Sequence, residues 1–133
     1  MEQQPIFHAT EWFIRTAVTK TEIIKGDTLT SMYKMWYVHF NQTDWIWNGA
    51  CNVTDCTLAF HGNKVLVNCS TFDSSKVTTM KQRFYGCESI TSLPMLDCTS
   101  VLDMSQMFYQ NYSLVDIPPY ITSSCLYFTG TFE

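Results

Sequence analysis

The sequence predicts an α/β fold: a short solenoid of 24-residue units, each a short parallel strand plus a helical turn, behind an N-terminal β-rich cap. Three observations predict it. The chain matches itself when slid by 24 residues. The first half of each unit carries apolar residues at i, i+3 and i+7, as in Val77, Met80 and Phe84, which marks one face of a short helix or helical turn. The second half is extended in character and is stopped by Pro94 or Pro118, leaving room for a strand of three or four residues.

The repeat stands on five aligned apolar columns. One runs Leu29, Val53, Val77, Val101, Cys125 and a second Met32, Cys56, Met80, Met104, Phe128. The aromatic column is Trp36, Phe60, Phe84, Phe108, Phe132. Leu66, Ile90 and Leu114 form a fourth, and Trp45, Cys69, Leu93 and Ile117 a fifth. The units are therefore 29–52, 53–76, 77–100 and 101–124, with a partial fifth from 125 to 133. Gly62 and Gly86 share a column where a left-handed residue would end the helical turn. Ser75, Thr99 and Ser123 stand two residues before the first apolar position, where a hydroxyl can cap incoming amides. One such unit cannot bury its apolar side alone; stacked copies can.

Composition sets the outer bounds. The 133 residues are 46% hydrophobic and 15% charged, as in a folded single domain. A net charge of -4 without basic runs gives no pull toward nucleic acid. No apolar run is long enough to span a bilayer. The start, MEQQPIFHATEWF, has neither basic nor apolar signal regions, so no secretory signal is read there.

The units VTTMKQRFYGCESITSLPMLDCTSV and VLDMSQMFYQNYSLVDIPPYITSSC resemble the BspA-type leucine-rich repeats, whose pattern is close to V-x-x-M-x-x-M-F-x-x-C-x-x-L-x-x-I-P-x-L-D-T-S. Met107-Phe108 matches the M-F pair, and Arg83 replaces its Met one unit earlier. Cys87 takes the family's cysteine position, which Asn63 and Asn111 fill in the neighbouring units. Leu96 to Ser100 is similar to the L-D-T-S loop. The similarity is strongest between 72 and 124. It implies a leucine-rich-repeat solenoid and a non-catalytic binding or adhesive role. Such repeats occur in bacterial surface proteins and in phage-encoded proteins, and the short chain without an export signal points to the phage-encoded kind.

Residues 1–28 depart from the repeat. EWFIRTAVTKTEIIKGD is rich in β-formers and is expected to fold back as a hairpin that shields the first unit, or to dock onto a larger assembly. Unit 29–52 is aromatic: Tyr37 aligns with His61, Tyr85 and Tyr109 just outside the core, and Trp47 lies off the core columns. Tyr37, Trp47, Tyr85 and Tyr109 are candidate exposed anchors, with Tyr37 and Trp47 alternatively packed beneath the cap. At the other end Tyr127, Phe128 and Phe132 would sit on a layer with nothing stacked over it. That end is expected to meet a partner or a second copy, unless 125–133 themselves form the lid.

Catalytic chemistry finds no pattern. His8, His39 and His61 are scattered and sit in no nucleophile motif, and no phosphate or dinucleotide loop appears. Cys51, Cys56, His61 and Cys69 approach a zinc spacing, but Cys56 and Cys69 fall on core columns, so buried reduced thiols fit better. Asp73 and Asp97 share one loop column and read as loop caps. No cofactor and no metal is expected, and the chain reads as a non-enzyme. What remains is surface. Between the core columns, Thr43 and Asp44, Val67 and Asn68, Thr91 and Ser92, and Val115 and Asp116 face outward as a strand-face strip able to bind a protein. The expected function is a protein–protein interaction module, phage virion-associated or binding a host protein. It would be located in the virion or the host-cell cytoplasm. The alternative is a bacterial surface adhesin fragment recognising protein or glycan, at the cell surface within a longer exported chain.

Overall fold

The computed structural model describes residues 20–23, 29–38, 43–47, 52–120 and 122–131. Among them, three short strands form one sheet in the order β1-β2-β3: β1 Lys20–Ile23, β2 Asp44–Trp47 and β3 Asn68–Cys69. Both pairings are parallel and both step by 24 residues, Lys20 to Asp44 and Asp44 to Asn68. A second line of parallel bridges, Ser31 to Asp55, Thr79, Asp103 and Tyr127, takes the same step four times. The register of the apolar columns is thus the register of the backbone. β1 extends it back into the expected cap; the rest of that segment, and its hairpin, lie outside the described residues.

The first half of each unit departs from expectation. No helix forms among the described residues. Instead, Met80 to Cys87 runs through three overlapping turns, in which the Arg83, Tyr85 and Cys87 N–H groups donate to the Met80, Gln82 and Phe84 carbonyls at 3.1, 3.3 and 3.1 Å. The alternate N–H groups leave the unit altogether. Met80, Gln82, Phe84 and Gly86 donate to the Asp103, Ser105, Met107 and Tyr109 carbonyls of the next one, at 2.9, 2.9, 3.1 and 2.8 Å. A helix would return every N–H to the residue four back. Here half the donors bind the adjacent unit, so stacking and local structure are satisfied together.

That alternation needs left-handed backbone twice per unit. Gly62 and Gly86 supply it as their column predicts, with φ of 72° and 67°, yet Val38 and Gln110 adopt it at the same position without glycine. A further left-handed column, Lys34, Leu58, Gln82, Gln106 and Gly130, carries no glycine until its last member. A side chain in this region is strained by roughly 1–2 kcal/mol. The inter-unit hydrogen bonds offset that strain.

The core follows the five columns through the middle of the stack. Val53, Val77, Met80, Phe84, Leu66 and Ile90 are fully buried, with Trp36, Trp45 and Phe60 closing the N-terminal side. Ring planes stack unit upon unit: Trp36 on Phe60 at 5.1 Å, Phe60 on Phe84 at 5.5 Å, Phe84 on Phe108 at 6.3 Å. Such parallel stacks arise naturally when equivalent residues sit one strand spacing apart. The columns open toward the C-terminal end, where Ile117 is 37% exposed and Phe128 43%. Ile117 is therefore not a core residue, because no later unit covers it among the described residues.

The loop before each turn is tied by carboxylates. Asp73 Oδ1 accepts from the Ser75 N–H at 3.1 Å and from its hydroxyl at 2.6 Å; Asp97 does the same for Thr99 at 2.9 and 2.6 Å. The hydroxyls expected to accept amides are donors instead. These hydrogen bonds hold both carboxyls below the usual carboxylate range.

Candidate functional site

Position decides which predicted residues stand free. Along the strand face, Val67, Asn68, Thr91, Ser92, Val115 and Asp116 are exposed, and Thr43 and Asp44 half-buried. Val115 is 87% exposed, an unusual place for a β-branched apolar side chain. Asn68 Nδ2 donates to Asp44 Oδ1 at 2.7 Å and Thr43 Oγ1 to Asp44 Oδ2 at 2.7 Å, so equivalent residues of neighbouring units form a polar ladder.

This face is not continuous. Val67 and Asn68 both donate to the Thr43 carbonyl, at 2.9 and 3.0 Å, and Val115 and Asp116 both donate to the Thr91 carbonyl, at 3.0 and 3.3 Å. The step between them, from the Thr91 and Ser92 N–H groups to the Val67 carbonyl, is not formed. One rung cannot form at all: Ser70 donates to the Trp45 carbonyl at 2.9 Å, and the equivalent residue one unit on is Pro94, which has no N–H. The sheet accordingly ends at β3. An open concavity of about 330 Å³ lies along the gap, lined among others by Asp44, Val67, Asn68, Cys69, Ser92 and Pro94. Beyond it the two units rejoin, Thr71 Oγ1 donating to the Met95 carbonyl and the Asp97 N–H to Ser74 Oγ at 2.7 Å.

The aromatic candidates divide. Tyr37, His61, Tyr85 and Tyr109 form a second ring ladder with centroids 4.9, 4.5 and 5.0 Å apart. Tyr37, Tyr85 and Tyr109 are half-buried, their faces occupied by one another, so they are not the exposed anchors expected. Lys34 Nζ lies 5.1 Å from the Tyr37 ring centroid, and burial lowers the His61 pKa. Tyr127 and Phe128 are exposed beside Leu126, which is 70% exposed, so the apolar end anticipated from the repeat is present. Phe132 and the Trp47 side chain lie outside the described residues.

Several interior residues escaped the column reading. Arg83 is fully buried, and the polar group beside its guanidinium is the Cys69 thiol, too far for a well-formed hydrogen bond. Its guanidinium carbon lies 4.7 Å from the Phe72 ring centroid, 5.1 Å from Phe84, 5.5 Å from Phe60 and 5.9 Å from Trp45. The signal was available: Met35, Ala59, Met107 and Thr131 fill the same position and are all buried. Asn111 replaces the cysteine of its column, and its Oδ1 accepts the Cys87 N–H at 2.9 Å. Tyr120 Oη donates to the Pro94 carbonyl at 2.9 Å.

Three of the described thiols, Cys56, Cys87 and Cys98, are buried, and Cys69 and Cys125 are half-buried. Cys56, Cys69, Cys87, Cys98 and Cys125 are free cysteines, and Cys51 lies outside the described residues. Burial pushes Cys69 and Cys98 up to about 11, with the Arg83 charge opposing, and raises Cys87 further. No group of three or more His, Cys, Asp or Glu side chains among the described residues could hold a metal ion.

The family model described as "Mycoplasma protein of unknown function, DUF285" matches residues 4–120, most of the chain. The chain belongs to that family. No curated protein and no solved structure matches it. Membership of the DUF285 family carries no assigned activity. No helix among the described residues is long and apolar enough to cross a membrane.

Proposed function

We propose that this DUF285-family chain is a non-catalytic protein–protein interaction module, built as a short leucine-rich-repeat solenoid of the BspA type. The observation that carries the reading is the strand face. Its outward positions vary from unit to unit while the columns beneath them repeat, and it leaves Val67 and Val115 exposed among polar groups. An apolar side chain held in solvent on a rigid backbone is a ready contact for a partner. The exposed end at Leu126, Tyr127 and Phe128 supports a second contact, with a partner or another copy of the chain. In this reading the partner is a virion component or a host protein, and the module works in a phage particle or in the host cytoplasm.

A second reading has an observation of its own. The family description names Mycoplasma proteins, which supports a bacterial source, and the reading is then a surface adhesin fragment binding host protein or glycan. One experiment separates them. The intact chain and its Val115→Lys variant are used as paired baits against phage particles, host-cell lysate and glycan arrays. Capture of a phage or host protein that Val115→Lys abolishes supports the first reading. Binding to glycan or host-surface protein supports the second. A variant that captures the same proteins as the parent overturns the strand-face assignment.

A further inference from the structure

The two halves of a unit meet the next unit with opposite chemistry. The turn half sends N–H groups forward: Trp36 donates to the Ala59 carbonyl, Phe60 to Arg83, Phe84 to Met107 and Phe108 to Thr131, at 2.8, 2.9, 3.1 and 3.0 Å. The strand half offers carbonyls: Thr43 accepts from Val67 at 2.9 Å, Trp45 from Ser70 at 2.9 Å and Thr91 from Val115 at 3.0 Å. At the C-terminal end both sets are open. The Phe128 and Gly130 N–H groups donate to nothing among the described residues, and the Val115 and Ile117 carbonyls, which repeat the Thr91 and Trp45 positions, accept nothing. The end is also a step. The turn of residues 125–131 adds a layer that the strand side does not match among the described residues, so the turn half stands higher by one strand spacing, about 4.8 Å. Ile117, Leu126, Tyr127 and Phe128 are exposed there, and Asp116 is the only charged residue from 114 to 131.

We infer that this end seats a second copy of the chain, tail to tail about a two-fold axis. A half-turn about an axis across the step lays the turn half of each copy over the strand half of the other. The Phe128 and Gly130 N–H groups then face the Val115 and Ile117 carbonyls of the second copy, so open donors meet open acceptors on both sides of the axis. The raised turn of each copy fills the low side of the other. Ile117, Tyr127 and Phe128 form the apolar centre of the contact, in a segment as poor in charge as interface cores are. The N-terminal end offers no such seat, because β1 already lies on β2 there, in register over four residues. A head-to-tail contact would displace that strand, whereas a tail-to-tail contact displaces nothing and closes after two copies. The inference rests on the reading of the exposed end as a contact surface and names its occupant.

The test follows the full chain by sedimentation equilibrium from micromolar to millimolar concentration, and a mixture of labelled and unlabelled chain by isotope-filtered NMR. A monomer–dimer equilibrium is expected, with contacts between the Phe128 ring of one copy and the Val115 to Ile117 segment of the other. Exchange of the Phe128 and Gly130 amide hydrogens should slow as the dimer fills. Tyr127→Asp, at an exposed side chain, should weaken the dimer at least ten-fold while the Phe84 and Gly86 amides stay protected. Lys81→Ala, exposed and away from the end, should leave the dimer unchanged. A monomer at every concentration, masses that keep growing beyond the dimer, or a dimer whose contacts lie elsewhere overturns the inference. A dimer that Tyr127→Asp leaves as tight as before overturns it too. If the chain stays monomeric while Tyr127→Asp abolishes capture of a protein partner, the end is still a contact surface and its occupant is another protein.

Discussion

The two ladders of this molecule obey one register and differ in what they tolerate. Along the turn ladder, Met32, Cys56, Met80 and Met104 each donate to the unit that follows, at 2.7, 3.0, 2.9 and 2.9 Å, with no step missing. Along the strand ladder, β1, β2 and β3 join, the next step is absent, and the bridge from Ser92 to Asp116 resumes the pattern. The turn side has stacked rings beneath it and repeats its residue types. The strand side varies its residues and carries a proline where a donor is needed. Packing and unbroken hydrogen bonding are concentrated on the side that repeats, and exposed, varied side chains on the side that does not.

The largest test of that contrast is truncation in the ring stack. Phe84→Ala should lower unfolding free energy by about 3–5 kcal/mol, because the side chain is fully buried between Phe60 and Phe108. A urea titration reads this directly, and a change below roughly 1 kcal/mol would remove the stacked core from the account.

Arg83→Met tests the same region with the opposite sign. A buried cation that meets a neutral thiol and four rings is costly, and the ring contacts return only about 2 kcal/mol of that. Methionine fills the position in Met35 and Met107, so the variant should be more stable by about 1–4 kcal/mol. A higher urea midpoint is the expected outcome. A lower one would mean that the guanidinium is anchored by more than the four rings.

Gly86→Ala probes the backbone alone. An added Cβ would meet the Gly62 Cα at 3.7 Å, an ordinary contact, so the cost of about 1–2 kcal/mol comes from the left-handed φ. Thermal unfolding should fall by a few degrees.

The thiols add a pH dependence. In the unfolded chain a cysteine ionises near 8.5, whereas burial raises Cys69 and Cys98 to about 11 in the folded one. The unfolded state therefore loses protons first as pH rises. Their contribution is complete below about 8.5 and should fall away between there and 11. A Cys98→Ala variant should show a shallower decline over that range in denaturant midpoints. At the small end, Thr91→Ala on the strand face should change stability by less than about 0.5 kcal/mol.

Most of the register was legible in the sequence because buried columns repeat by residue type. Val53, Val77 and Val101 predict one another, and the structure pairs their units at the expected offset. The local form of the turn was not legible. Apolar spacing at i, i+3 and i+7 suits a helix as well as a chain of turns, and the decision came from inter-unit donors that no single unit reveals. Leu58 and Gln82 hide their left-handed backbone, since nothing in their chemistry asks for it. Exposure on the strand face was legible at Thr91, Ser92, Val115 and Asp116. The burial of Arg83 was legible only from its column, where Met35, Ala59, Met107 and Thr131 are all buried; its charge alone reads as a surface substitution. The gap was half legible: Pro94 reads in the sequence as the end of a strand, and its missing donor to the preceding unit becomes evident once Ser70 is seen to fill that role.

Amide hydrogen exchange, resolved residue by residue in the unliganded chain, tests the central claim most directly. The Gln82, Phe84 and Gly86 amides, each donating to the following unit, should exchange with protection approaching that of global unfolding. Thr91 and Ser92, a few residues further along the same unit, should exchange near the rate of an open loop, while Val115 and Asp116 are protected. Strong protection at Thr91 and Ser92 would show the strand ladder to be closed, and would contradict the distinction between the two sides.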